Sequence, residues 1–151
     1  MTNTAYAGNA TDITVEVRGF VASTGLPYTA GTHSTSGLEI AYIRNRSAAV
    51  TATVGSSPAP VTQTANGAHT DWGFVHVNAG VYRIDIPDAA VASGADDVVI
   101  VASGITDVVF TPARIEILGS DPRSATVAAN VTAINGATVV GNGTSGNKWR
   151  A

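Results

Sequence analysis

The sequence predicts an all-β protein, an immunoglobulin-like antiparallel β-sandwich followed by a short C-terminal hairpin extension. Three observations lead there. Apolar and polar residues alternate with period two in a series of short segments. Clusters of Gly, Pro, Asn, Asp and Ser interrupt that alternation about every ten to fifteen residues. No stretch repeats its apolar residues at helical spacing for long enough to make a long helix. A closed barrel is the competing way to arrange such strands.

The elements follow in order. In residues 13–18, Ile13, Val15 and Val17 share one face, and Thr14, Glu16 and Arg18 share the other. A loop rich in Gly, Pro, Thr and Ser fills 23–37. Residues 38–44 group Leu38, Ile40 and Tyr42 on one side. A weaker Thr/Val strand at 50–54 stops at the breaker run Gly55-Ser56-Ser57-Pro58-Ala59-Pro60. Residues 61–64 are expected to pair across a turn at Asn66-Gly67. Residues 72–78 alternate again, and Ala79-Gly80 turns directly into 81–86. In that hairpin Tyr82, Ile84 and Ile86 fall on one side, with Val81 able to join them through a bulge. Pro87-Asp88 ends the strand and Gly94 closes the stretch, so 89–93 is expected to form one short helical turn. Residues 98–101 are continuously apolar, which predicts a strand buried on both faces. The last strong strand is expected at 108–118, with Ile115 and Ile117 opposed to Arg114 and Glu116. Pro112 inside it implies an edge position or a bulge.

Gly119-Ser120-Asp121-Pro122 marks a boundary. The chain is therefore divided into an N-terminal arm, 1–12, a sandwich domain, 12–118, and an extension, 123–151. In the extension, Val131-Thr132-Ala133-Ile134 and Ala137-Thr138-Val139-Val140 flank an Asn135-Gly136 turn, the pattern of a small hairpin. A two-stranded hairpin is not stable by itself in water, so this one needs a surface, either its own sandwich or a neighbouring subunit. Inter-subunit contacts are accordingly expected from Val131, Ile134, Val139, Val140, Trp149 and Arg150, together with the N-terminal arm. Trp149 is the expected anchor, because a large ring between Lys148 and Arg150 joins buried area to polar rim contacts.

Composition narrows the function classes. Hydrophobic residues make up 44% of the 151 and charged residues only 13%, about half the usual charged share. A surface of small neutral groups offers little charge repulsion against association. Either it is meant to be covered by neighbours, or a genome rich in G and C has favoured Ala, Gly, Thr and Val codons. Net charge is −3 and the basic residues are scattered singly, so no stripe exists to neutralise phosphates and nucleic acid is not an expected partner. With no Cys, disulfides and thiolate chemistry are excluded. The N-terminus has neither the basic start nor the apolar stretch of a signal peptide, and no apolar run is long enough to span a bilayer; secretion by the general pathway and a membrane association are not expected.

Three stretches carry a resemblance. Gly80-Val81-Tyr82-Arg83-Ile84-Asp85-Ile86-Pro87-Asp88-Ala89-Ala90 resembles the "GVYRLDLPDAA" signature of a family of tailed-phage and prophage proteins, where it is followed, as here, by Ser93-Gly94-Ala95-Asp96 and a Val-rich strand. Residues 37–44 are similar to the "GLxAYYxR" strand of the same family. The end, from Ile134-Asn135-Gly136 through Gly141-Asn142-Gly143-Thr144-Ser145-Gly146 to Trp149-Arg150, is similar to an "ING…GNGTSGxxWR" ending of phage virion proteins. The resemblance implies a structural virion protein, made in the host cytoplasm and packed against other virion proteins, a major capsid protein or tail components, with homo-oligomers expected. It implies no reaction, cofactor or catalytic residue. Longer relatives run on into fibre-like regions, whereas this chain stops at Ala151, which favours a compact accessory subunit.

Residues able to carry chemistry are few. His69, Asp71 and His76 form the one local cluster suited to a metal or an acid–base pair. On a strand His69 and Asp71 share a face and His76 does not, so solvated or capping roles are expected instead. Asp85, Asp88, Asp96 and Asp97 have the oxygen chemistry of a calcium site, and as pairs that of glycosidase carboxylates; as strand-end residues they more simply bond turn amides. Trp72, Tyr42, Tyr82 and Phe74 either fill the core or line a glycan-binding face. The expected function is thus a capsid decoration (cement) protein, with a tail, baseplate or fibre-anchoring module as the alternative and a carbohydrate-binding adhesin as the reading from another class.

Overall fold

The computed structural model describes residues 2–118 and, beyond them, 133–134 and 137–138. Ten strands are arranged in two five-stranded sheets that pack face to face. They are β1 (Thr2–Ala7), β2 (Thr14–Val21), β3 (Glu39–Arg44), β4 (Val50–Thr53), β5 (Val61–Thr62), β6 (Gly73–Asn78), β7 (Val81–Asp85), β8 (Asp97–Ser103), β9 (Val108–Phe110) and β10 (Ala113–Leu118). The first sheet has the order β1-β10-β8-β3-β4 and the second β5-β6-β7-β2-β9. A 3-10 turn, Asp88–Val91, lies between β7 and β8, at the place the Pro87 and Gly94 punctuation marks. In the C-terminal part β11 (Ala133–Ile134) pairs antiparallel with β12 (Ala137–Thr138).

The chain therefore forms the expected all-β sandwich, and the period-two pattern decides which side chains enter it. Ile13, Val15 and Val17 are buried while Glu16 and Arg18 are exposed. Leu38, Ile40 and Tyr42 are buried from the first sheet, and Tyr82, Ile84 and Ile86 from the second. Each such aliphatic chain removed from water contributes about 1.5–3 kcal/mol. An aromatic group fills the middle: Phe74 stacks on Tyr82 with centroids 4.9 Å apart, and Phe110 meets Tyr82 edge-on at 5.4 Å. The Tyr82 hydroxyl does not go unsatisfied. It donates to the Tyr28 carbonyl at 3.0 Å and accepts the Gly31 N–H at 3.1 Å, which ties the loop after β2 to the core. Across the two sheets, Trp72 stacks on Tyr42 at 5.7 Å.

Backbone demands appear at one close approach. Gly37 and Gly104 both have φ above +80°, and a Cβ on either would collide with the other's carbonyl. Only glycine lets these two turns, flanking the pairing of Glu39 with Ser103, come together.

Five expectations are corrected. Residues 61–64 do not pair across Asn66-Gly67; Val61 and Thr62 lie parallel to Gly73 and Phe74, because the intervening loop crosses over the sheet before β6 begins. The stretch at 98–101 is not buried on both faces: Val98 and Ile100 are inside, whereas Val99 and Val101 are only half-buried, since no described layer covers that outer side. The expected single strand at 108–118 is two strands, broken at Thr111-Pro112. β9 belongs to the second sheet and β10 to the first, and Pro112, which has no N–H to give to a ladder, stands where the chain changes sheets. The bulge falls on β6, between His76 and Asn78, rather than at Val81. The segment set apart as an N-terminal arm runs as β1, parallel to β10, with Thr2 opposite Ala113 and Ala7 opposite Leu118.

Ile84 is wholly buried and Val109 is 57% exposed. Ile84→Ala is expected to lower the unfolding free energy by about 2–5 kcal/mol, and Val109→Ala to change it by no more than about 0.5 kcal/mol. Denaturant titration of both variants checks the register; an Ile84→Ala loss as small as that of Val109→Ala contradicts it.

Candidate functional site

The alternation that turns Tyr82 and Ile84 inward turns Arg83 and Asp85 outward, and an outward charge normally meets water. Here it does not. The loop of residues 63–71 lies over this end of the second sheet, leaving Asp85 0% and Arg83 8% exposed. Asp85 Oδ1 accepts the Thr14 hydroxyl at 2.7 Å and Arg83 Nε at 2.8 Å. Its Oδ2 accepts the Gln63 amide, the Thr70 N–H at 3.1 Å and Arg83 Nη2 at 3.0 Å. Arg83 Nη1 donates to the carbonyls of Thr64, Ala65 and Gly67, and the same Gln63 amide reaches Ala68 O at 2.9 Å. Burial by itself would raise the Asp85 pKa; the hydrogen bonds from Arg83, Thr14, Thr70 and Gln63 outweigh it and hold the carboxyl below its ordinary value. With five donors on two oxygens, no acceptor site is left to take a substrate proton. The cluster is a clamp for a loop.

The other titratable residues are dispersed or engaged. His69, its side chain 8% exposed, has Nε2 3.0 Å from Ile86 O and Nδ1 3.3 Å from Asp12 and 3.9 Å from Asp71. It thereby joins the segment before β2 to the end of β7. His76 is elsewhere: its ring leans on Tyr82 and its Nε2 accepts the Gly80 N–H at 3.3 Å. The carboxylates considered for calcium do not converge. Asp85 is inside the clamp, Asp88 accepts the Asp12 N–H at 2.9 Å, and Asp97 pairs with Arg114 at 3.1 Å. Among the described residues no three His, Asp or Glu side chains come together to hold an ion. Tyr42, Trp72, Phe74 and Tyr82 are all in the core, so they offer no face to a glycan.

Two features of the described surface stand out. One is an open groove of about 470 Å³ between loop 29–34, the end of β5 and β6, where Thr29, Thr32, Ser34, Thr62, His33 and His76 contribute polar groups. The other is an apolar stretch on the outer side of the second sheet. Phe20 is half-buried there, opposite Val109 of β9 on one side and Pro27 on the other, with Leu26 63% exposed beside it. Compared with known protein families, with curated proteins and with solved structures, the chain matches none.

Of the residues expected to make subunit contacts, Ile134 lies in β11, while Val131, Val139, Val140, Trp149 and Arg150 lie outside the described residues. Two features escaped the sequence reading. The Arg83–Asp85 pair carried a signal: opposite charges at i and i+2 share one face of a strand. Phe20 carried another, as an apolar residue continuing the outward series Thr14, Glu16, Arg18.

Asp85→Asn strips the carboxylate from a buried guanidinium and is expected to cost about 3–5 kcal/mol, with loss of amide-exchange protection in 63–71. Because the folded pKa is lowered from 3.8, the wild-type stabilisation is complete above about pH 5 and disappears as pH falls through the folded value. Unfolding curves from pH 7 to pH 2 should therefore show the wild type converging on Asp85→Asn in acid; a gap that stays constant contradicts the clamp.

Proposed function

We propose that the protein is a non-enzymatic structural subunit of a tailed-phage particle, in its most specific form a capsid decoration protein that binds between capsomers and stabilises the head. The observation that carries this reading is the division of labour among its side chains. Its buried ionisable groups are spent on holding loops to sheets, while exposed large apolar residues stand on a sheet face. Catalysis needs the reverse, a poised polar group facing a cleft. A cement protein needs a rigid body that resists deformation and a surface of modest affinity repeated many times, and a two-sheet sandwich with a closed aromatic core supplies the first. The likeness of residues 80–90 to a phage-protein signature supports the same reading, and the low charge of the chain suits a surface covered by neighbours.

A tail, baseplate or fibre-anchoring position is the alternative within this class, and copy number separates the two. A decoration protein is present in on the order of hundreds of copies, set by capsid symmetry, and a tail component in far fewer. The groove lined by hydroxyl and imidazole groups keeps a carbohydrate-binding adhesin as the reading from another class. Quantitative mass spectrometry of purified particles decides the first question and glycan binding by the isolated protein the second. Removal of residues 123–151 is expected to leave the sandwich folded and to abolish attachment to the particle. Full occupancy by the truncated chain contradicts the assignment of that contact to Val131, Ile134, Val139, Val140, Trp149 and Arg150.

A further inference from the structure

We propose that the outer face of the second sheet is a self-association surface on which a second copy of this chain docks about a twofold axis. The outward positions of β2 are Thr14, Glu16, Arg18 and Phe20, since Ile13, Val15 and Val17 are turned into the core. Loop 63–71 lies over one end of this face, beside Thr14, where the Asp85 clamp holds it. No described residue covers the other end. There Val109, Phe20 and Pro27 stand in a row across three paired segments, Val81 is opposite Arg18, and Leu26 adjoins Pro27. Val109 and Leu26, at 57% and 63% exposed, are two of the large apolar side chains that the described surface leaves in water. A contiguous apolar patch rimmed by charge marks an interaction site.

Charge selects the occupant. Glu16 and Arg18 are both exposed and occupy successive outward positions, about 7 Å apart. Neither side chain has a hydrogen-bond or ion-pair partner among the described residues. A twofold axis passing between them sets each Glu16 against the other copy's Arg18, so one pair of residues makes two ion pairs. The same operation carries the Phe20 row of each copy over Thr14 and the uncharged segment Thr64-Ala65-Asn66 of the other. An isologous interface requires this kind of self-complementarity, and the face has it without help from another protein. The dimer is a property of the isolated chain and stands apart from any attachment to a particle.

Sedimentation velocity on the full chain at about 100 µM reads the association, with circular dichroism and melting confirming that each surface variant stays folded. The wild type is expected to dimerise and Val109→Asp to be monomeric. Glu16→Arg and Arg18→Glu, each of which sets like charges together, should weaken the dimer at least about tenfold. The double variant Glu16→Arg/Arg18→Glu, which restores opposite charges in exchanged places, should return to within about threefold of wild type. A monomeric wild type, a dimer indifferent to Val109→Asp, or a double swap as weak as the singles overturns the proposal. So does a wild type that dimerises only once residues 119–151 are removed, since the face is then occupied by the chain's own segment.

Discussion

A carboxylate taken wholly out of water has to be met by an opposite charge and by donors for both of its oxygens, and the manner in which Asp85 is met organises one half of the sandwich. Its partners come from three separate places: Thr14 at the start of β2, Arg83 on the same strand, and Gln63 with Thr70 from the loop before β6. The guanidinium then reaches the loop carbonyls of Thr64, Ala65 and Gly67. Such a network does not stabilise by its ion pair alone, because desolvation offsets most of the Coulomb gain. It acts by specificity. The path the loop takes satisfies these groups together, and it sends the chain over the sheet so that β5 lies parallel to β6 rather than folding back as a hairpin.

The consequence reaches the neighbouring face. By filling the space above Arg83 and Asp85, the loop covers one end of the second sheet and stops short of the other. Where it stops, the outward residues change from a buried polar cluster to Glu16 and Arg18 and then to Phe20 and Val109. A sheet in a two-layer sandwich has one face committed to the core, and its second face is free to serve as a contact surface. Here the second sheet divides that face between an internal task and an external one, and the boundary between them is set by the reach of one loop.

The aromatic centre supplies rigidity by a different route. Tyr82 takes part in stacking with Phe74, meets Phe110 edge-on, and uses its hydroxyl to anchor the backbone at Tyr28 and Gly31. Burial raises the pKa of this phenol, so it keeps its proton, and with it the bond to the Tyr28 carbonyl, at any ordinary pH. The loop after β2 is long and rich in small residues, and this bond joins the Tyr28 N–H bond to the Gly19 carbonyl and the stacking of Tyr28 on Tyr82 in holding it to the core. The same loop carries Pro27 and Leu26 to the edge of the exposed face, and it forms one wall of the hydroxyl-lined groove.

Local alternation was enough to place Ile13, Val15, Val17, Leu38, Ile40, Tyr42, Tyr82, Ile84 and Ile86 in a core, because a strand has only two faces and period two names which residues share one. Punctuation by Gly, Pro and Asn placed the hairpin at Ala79-Gly80 and the short turn before Gly94 for an equally local reason: those residues restrict or release φ at a single position. What neighbours each strand is not a local property. That Thr111-Pro112 divides one apolar run between two sheets, that β1 pairs with β10, and that no described layer covers the outer side of Val99 depend on contacts between segments far apart in the chain. The candidate sites divide in the same way. The spacing of Arg83 and Asp85 puts them on one strand face, a signal the sequence reading did not use, and only the path of loop 63–71, held by donors from Gln63 and Thr70, made that pair a buried clamp. Val109 read as an ordinary strand residue and Phe20 fell beyond the strand expected at 13–18, until the pairing of β2 with β9 set them side by side on an outer face, since exposure is decided by what the rest of the chain leaves uncovered.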